Sequence, residues 1–130
     1  MSDAENHKIL VVDDDPQIFK IIFRLLNSKK YHVTSASNGN DALKKIEEER
    51  PDLVILDLMM PGMSGLDVSK KIKENFPNHP IMILVLSAKD SQMGRRKCFE
   101  MGVDDFITKP FHIASLARKI EYIFEKKKIG

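Results

Sequence analysis

Asp13, Asp14 and Asp15 stand in a row directly after the apolar run Ile9-Leu10-Val11-Val12, and a second run, Leu53-Val54-Ile55-Leu56, also ends on a carboxylate, Asp57. Carboxylates about 4 Å apart repel by roughly 1 kcal/mol in water and by about 4 kcal/mol at an effective dielectric near 20. A divalent cation relieves that repulsion. Hard oxygen donors suit Mg²⁺, which keeps several waters and takes one or two carboxylates plus phosphate oxygens, and Mn²⁺ shares the preference. Ser87 ends a third apolar run, and Lys109 follows a fourth, shorter one. A carboxylate, a hydroxyl, an ammonium and a metal pocket in one cleft suit phosphoryl transfer, where the protein mainly positions groups and neutralises developing charge. In that chemistry Asp57 is the nucleophile, since a carboxylate can form an acyl phosphate.

Such residues meet only if strands deliver them to one rim. Short β-branched runs without alternation read as parallel strands covered on both faces, and open parallel sheets bind ligands at the carboxyl ends of their strands. The chain alternates strand-like and helix-like segments throughout, which predicts an α/β fold with a parallel sheet. Strands are predicted over Lys8 to Asp13, Tyr31 to Ala36, Asp52 to Asp57, Ile81 to Ser87 and Asp104 to Thr108, with the second at an edge. Pro16 opens the first helix, whose apolar face is predicted as Ile18, Ile21, Ile22 and Leu25. Asn38-Gly39 turns the chain into a helix carrying Ala42, Leu43 and Ile46; a third carries Leu66, Val68, Ile72 and Phe76 after the loop Leu58 to Gly65. A weaker helix is predicted over Ser91 to Met101, closed by Gly102. The last helix repeats Ile113, Leu116, Ile120, Ile123 and Phe124 at helical spacing.

At 130 residues, with 42% hydrophobic and 31% charged residues, the chain suits one domain over residues 1–130, with a core from about 8 to 126. A lone cysteine, Cys98, cannot form an internal disulfide, and residues 1–8 are polar and carry no secretory signal. The expected location is cytoplasmic. Apolar runs such as Ile81 to Leu86 are too short to cross a bilayer, so no membrane insertion is expected. A net charge of +2 points to no nucleic-acid partner, and Arg95-Arg96-Lys97 and Lys126-Lys127-Lys128 read as solvated faces.

Four stretches, Ile9 to Pro16 (ILVVDDDP), Asp57 to Gly65 (DLMMPGMSG), Leu86-Ser87-Ala88 and Asp104 to Phe111 (DDFITKPF), resemble in order and spacing the receiver domain of two-component response regulators. The resemblance covers essentially the whole chain. It implies a doubly wound, flavodoxin-like (βα)5 sandwich whose five-stranded parallel sheet has the order 2-1-3-4-5. It further implies that Asp57 is the phosphoacceptor and that Asp14 and Asp57 bind Mg²⁺ directly. Asp13 would hold the ion through water, and the Met59 backbone carbonyl would complete the protein ligands. Lys109 resembles the family's phosphate-pairing lysine, joined to Pro110 by a cis bond. Ser87 and Phe106 resemble its switch pair, and the last two helices with the strand between them resemble its readout surface. The implied partners are a sensor histidine kinase or a histidine phosphotransfer protein, and a downstream effector, either separate or as a C-terminal domain if the chain is the front of a longer protein.

Other readings stand beside these. Asp15 reads as a helix cap, Met59, Met60 and Met63 as core and loop filler, and Cys98 as an inert half-buried thiol. His7, His32, His79 and His112 have no ligand spacing. Asp104, Asp105 and Lys119 resemble a face on which one subgroup of the family pairs its receivers, but Ser115 and Lys119 replace that subgroup's glutamate and arginine, leaving a monomer or a weak, phosphorylation-linked dimer. Met59 and Lys89 occupy positions that tune phosphoryl lifetime in the family. A phosphatase of the haloacid-dehalogenase type would want an acid where Met59 stands, and a pseudo-receiver would not need Asp13, Asp14, Asp57, Ser87 and Lys109 intact.

Overall fold

The computed structural model describes residues 7–60, 62–77, 80–87, 96, 100 and 102–129. The unbroken apolar runs become central strands: β1 (Lys8–Val12), β3 (Leu53–Asp57) and β4 (Met82–Ser87) are buried almost throughout. β2 (His32–Ala36) and β5 (Asp105–Thr108) are half-buried and lie at the two edges. All four pairings are parallel, in the order β2-β1-β3-β4-β5, the predicted sheet. Strand limits differ from the predicted ones by one residue, at Asp13, Tyr31, Asp52, Ile81 and Asp104.

Local chemistry starts and stops the helices. Asp15 caps α1 (Pro16–Ser28) by accepting from the Gln17 N–H at 2.9 Å, and proline opens the first turn. Asn38 caps α2 (Gly39–Glu49) through the Asp41 N–H at 2.9 Å; Arg50 ends that helix in a left-handed conformation, φ 50°. Ser64 caps α3 (Gly65–Asn75) through the Asp67 N–H at 3.2 Å. The last helix, α4, spans Ile113–Ile129. Most of the helix predicted between Ser91 and Met101 lies outside the described residues, as do Cys98, His79 and Lys89. None of the helices among the described residues is long and apolar enough to cross a membrane.

Because successive strand residues point to opposite faces, the sheet builds two separate cores. Leu10, Val12, Val54, Leu56, Ile83 and Val85 meet Ala42, Ile46, Val68 and Ile72 of α2 and α3. Ile9, Val11, Leu53, Ile55, Leu84 and Leu86 meet Ile22 and Leu26 of α1 and Leu116, Ile120, Ile123 and Phe124 of α4. Two predicted face assignments need correction. In α1 the fully buried pair is Ile22 and Leu26, and Ile21 is exposed: at about 100° per residue it lies a quarter-turn from Ile22, away from the sheet. Ile113, the first residue of α4, reaches past the covered edge of the sheet and is also exposed.

The amino end of the sheet is closed tightly. The Lys8 N–H donates to Asp52 Oδ2 at 2.8 Å, and the Met82 N–H to the Asp52 carbonyl at 2.9 Å. The His7 ring stacks on Phe124 with centroids 4.0 Å apart, and Tyr31 packs on the same ring at 5.5 Å. Burial, aided by the Glu121 charge, raises the Tyr31 phenol above its ordinary range.

Candidate functional site

At the carboxyl end the same sheet opens into a cleft of about 800 Å³. β1 and β3 are neighbours, in register from Ile9 opposite Leu53 to Val12 opposite Leu56, so their following residues emerge side by side. Asp13 and Asp57 are buried there and Asp14 is exposed, and a carboxylate oxygen from each lies within 4.8 Å of the others. Lys109, one residue beyond β5, reaches across two strands: its Nζ lies 3.3 Å from Asp13 Oδ2 and 3.4 Å from Asp57 Oδ2. The other Asp57 oxygen, Oδ1, accepts the Met59 N–H at 3.1 Å. Asp15 is turned out of this group and serves as the α1 cap.

Asp57 is 4% exposed. Burial and then the Asp13 charge push its carboxyl above the ordinary value of 3.8, while the Met59 N–H and the Lys109 ammonium pull the other way. One cation thus faces two buried acids, so the trio carries surplus negative charge. Three close carboxylates with an open side toward solvent fit a hard divalent cation such as Mg²⁺.

Ser87 ends β4, one residue past the partner of Asp57, and its Oγ is buried with no hydrogen-bond partner. Buried hydroxyls are usually satisfied, but Ser69 Oγ and His7 Nδ1 are likewise buried without a partner, so it is the place of Ser87 at the strand end beside Asp57 that singles it out. The Lys109 N–H donates to the Ser87 carbonyl at 2.7 Å, which ties the two rim residues together through the main chain. The Lys109–Pro110 bond is cis, and Pro110 and Phe111 line the cleft. Phe106 is half-buried against the core formed with α2 and α3, with the Lys119 ammonium 5.9 Å from its ring centroid. That ammonium also grips Asp105 at 3.2 and 3.3 Å, and Asp104 accepts the Ile83 N–H at 2.7 Å. The charged residues read as an inter-chain face are thus engaged within the chain.

Two features escaped the sequence reading, and a third is sharpened by the structure. Ile21 and Ile113, which the helical periodicity had assigned to the core, give the cleft an apolar wall next to its acids together with Ile18, which also packs against the core as expected. Met59, which the resemblance had already set beside Asp57, lines the cleft at 71% exposure, whereas Met60 is buried, so the filler reading holds for Met60 and not for the Met59 side chain. Gly65 allows the loop to fold back on β3: a Cβ there would stand 2.5 Å from the Asp57 carbonyl oxygen and 2.8 Å from Leu58 Cα. Two glycines and a serine within four residues were the available signal, but only the fold shows which glycine meets backbone.

A doubly wound sheet with a lysine-bridged acidic cleft at its carboxyl rim defines a flavodoxin-like α/β protein. Residues 9–121 match the response regulator receiver domain, and the chain belongs to this family of two-component signalling switches. It is 39% identical over 125 residues to the alkaline phosphatase synthesis transcriptional regulatory protein PhoP of Bacillus subtilis, a match covering 96% of the chain and 51% of the relative. The chain therefore spans about half the length of that relative. Among solved structures it is similar to a CheY-like response regulator receiver domain protein from Methanospirillum hungatei, with TM-score 0.86, 29% identity and coverage of 95% and 98% of the two chains. It is also similar to NtrX from Brucella abortus, with TM-score 0.88 and 28% identity, over 95% of this chain and 28% of that one.

Proposed function

We propose that the domain is a phosphorylation-activated switch that accepts a phosphoryl group on Asp57 from a histidine kinase or a histidine phosphotransfer protein. The observation that carries this reading is the Asp57 carboxylate itself, buried at the floor of an open cleft between a second acid and a lysine. An oxygen of Asp57 attacks the phosphorus of the donor phosphohistidine; a P–O bond forms as the P–N bond breaks, and the imidazole leaves. Lys109 already contacts Asp57 and supplies a compact positive charge opposite the new dianion. The Met59 N–H fixes the carboxylate's orientation. Asp13, Asp14 and Asp57, with the Met59 carbonyl, would hold Mg²⁺ or Mn²⁺; when bound, the ion supplies charge neutralisation at the phosphoryl oxygens. Ser87 Oγ is the group free to bond a phosphoryl oxygen, and Phe106 is the neighbouring aromatic able to respond to its movement.

In this reading the domain modifies itself and turns over no separate substrate. The signal leaves through the face around β5 and α4, toward a separate effector or a C-terminal effector domain, and the receiver itself contacts no nucleic acid. A PhoP-like transcriptional regulator twice as long offers one setting for such a domain. The domain acts in the cytoplasm, as a monomer or a weak phosphorylation-linked dimer. The test is intact mass after incubation with Mg²⁺ and acetyl phosphate, beside Asp57→Ala. A single phosphoryl adduct in wild type and none in the variant is expected; an adduct that survives the substitution, or none in either protein, overturns the reading.

A further inference from the structure

The peptide that orients Asp57 also fixes the base of the Met59 side chain, whose own surface lines the cleft with Asp13, Asp14 and Lys109. Among the described methionines the exposures contrast sharply. Met59 is 71% exposed, Met60 is buried, and Met63 and Met82 are partly buried against the two cores. Among the described residues, the thioether most open to solvent is thus the one beside the candidate phosphoacceptor. A thioether is a weak hydrogen-bond acceptor and a poor partner for a hard cation. Its sulfoxide is polar, with an oxygen that accepts strongly, and reductases return it to the thioether.

We propose that Met59 is a reversible oxidation site whose sulfoxide shortens the life of the aspartyl phosphate. The inference rests on Asp57 being the phosphoacceptor. The oxidant is a peroxide: a sulfur lone pair attacks one oxygen of hydrogen peroxide, the S–O bond forms as the O–O bond breaks, and the departing hydroxide takes up the remaining proton as water. Sulfur loses two electrons and the peroxide gains them. Because Met59 packs in neither core, the change leaves the fold intact. Its effect falls on the mouth of the cleft, where water must approach phosphorus. The thioether leaves that water unoriented, whereas the sulfoxide oxygen accepts from its O–H and holds it in place. One such hydrogen bond corresponds to an acceleration of about fivefold.

The test uses the full chain, treated with hydrogen peroxide and then with excess thiol to return reversibly oxidised cysteine. Peptide mass mapping locates the first added oxygen, about 16 Da. The protein is then charged with acetyl phosphate and Mg²⁺, the donor is removed, and loss of the phosphoryl adduct is followed by intact mass. Among the described methionines oxygen is expected first on Met59, with dephosphorylation about fivefold faster, normal kinetics after treatment with methionine sulfoxide reductases, and no response to peroxide in Met59→Leu. Equal acceleration in Met59→Leu, first oxidation at another of these methionines, or an unchanged or longer lifetime with Met59 oxidised overturns the proposal. Absence of any adduct on the untreated protein is a separate result: it rejects Asp57 as acceptor and the lifetime claim with it, whatever the oxidation map shows.

Discussion

The two ends of the sheet are built on opposite terms. At the amino end the main chain is tied and rings are stacked: Asp52 accepts the Lys8 N–H, and His7, its Nδ1 buried without a partner, closes with Tyr31 on Phe124. At the carboxyl end two buried acids share one ammonium, a buried hydroxyl has no partner, and isoleucines line an open cleft. Between them lie strands whose apolar side chains are almost wholly excluded from water. The contrast teaches that aromatic closure gathers at one end of the domain and uncompensated buried charge at the other, where the proposed phosphoacceptor lies.

The largest expected effect probes the closed end. Phe124→Ala removes a ring that contributes to the α1–α4 core and to the aromatic stack, and should lower unfolding free energy in urea by about 3 kcal/mol while leaving Asp57 phosphorylation by acetyl phosphate intact. Loss of phosphorylation in a still-folded variant would erase the division between the ends. Next comes the charged end. Mg²⁺ at a hundredfold excess over its Kd should stabilise wild type by about 2.7 kcal/mol, and Asp14→Ala should remove that gain; a preserved thermal shift would show that Asp14 is not a ligand. Gly65→Ala drives a Cβ into the Asp57 carbonyl and should cost about 2 kcal/mol, with phosphorylation slowed on the order of tenfold by the displaced carboxylate. Unlike Phe124→Ala, it should therefore affect both stability and chemistry.

The smallest effect has the opposite sign. The Asp57 carboxyl is raised by burial and by Asp13, so the folded state binds its proton more tightly than the unfolded state does. Its contribution to stability is fully present below the ordinary value of 3.8 and is lost as pH rises through the raised folded value. Without Mg²⁺, Asp57→Asn should consequently be more stable than wild type at neutral pH, by on the order of 1 kcal/mol, the scale of a partly screened carboxylate repulsion. The advantage should shrink as pH falls toward 4, in melting curves of the two proteins recorded side by side. A variant less stable than wild type at pH 7 would mean that the Lys109 pairing outweighs the repulsion.

Much of this arrangement was legible in the residues because buried parallel strands are unbroken apolar runs and their ends carry the acids. The strands ran true to within a residue, and Asp13, Asp14, Asp57 and Lys109 converge as the phosphoryl-transfer reading required. The sheet order came from the family resemblance, since periodicity does not say which strands are neighbours. What stayed hidden depends on where covering ends. Helical spacing marks Ile21 and Ile113 as apolar but not that the sheet stops short of them. The bond from Lys109 to Asp13 spans 96 positions in sequence, a partnership no local pattern encodes. Gly65 likewise takes its importance from the backbone turning back on β3, which brings it against Asp57.

The main-chain bonds at the rim carry a further consequence. Beyond the strand ends the sheet pattern runs on, with Asp13 N–H to the Ala36 carbonyl at 3.2 Å, Leu58 N–H to the Leu86 carbonyl at 2.9 Å and Lys109 N–H to the Ser87 carbonyl at 2.7 Å. These contacts use no side-chain atoms, so they act as a ruler that fixes the spacing of the rim positions whatever residues occupy them. On such a frame a different side chain at position 87 or 109 would hang from the same backbone spacing, so the positions of the rim groups are set by the sheet and only their chemistry by the residues.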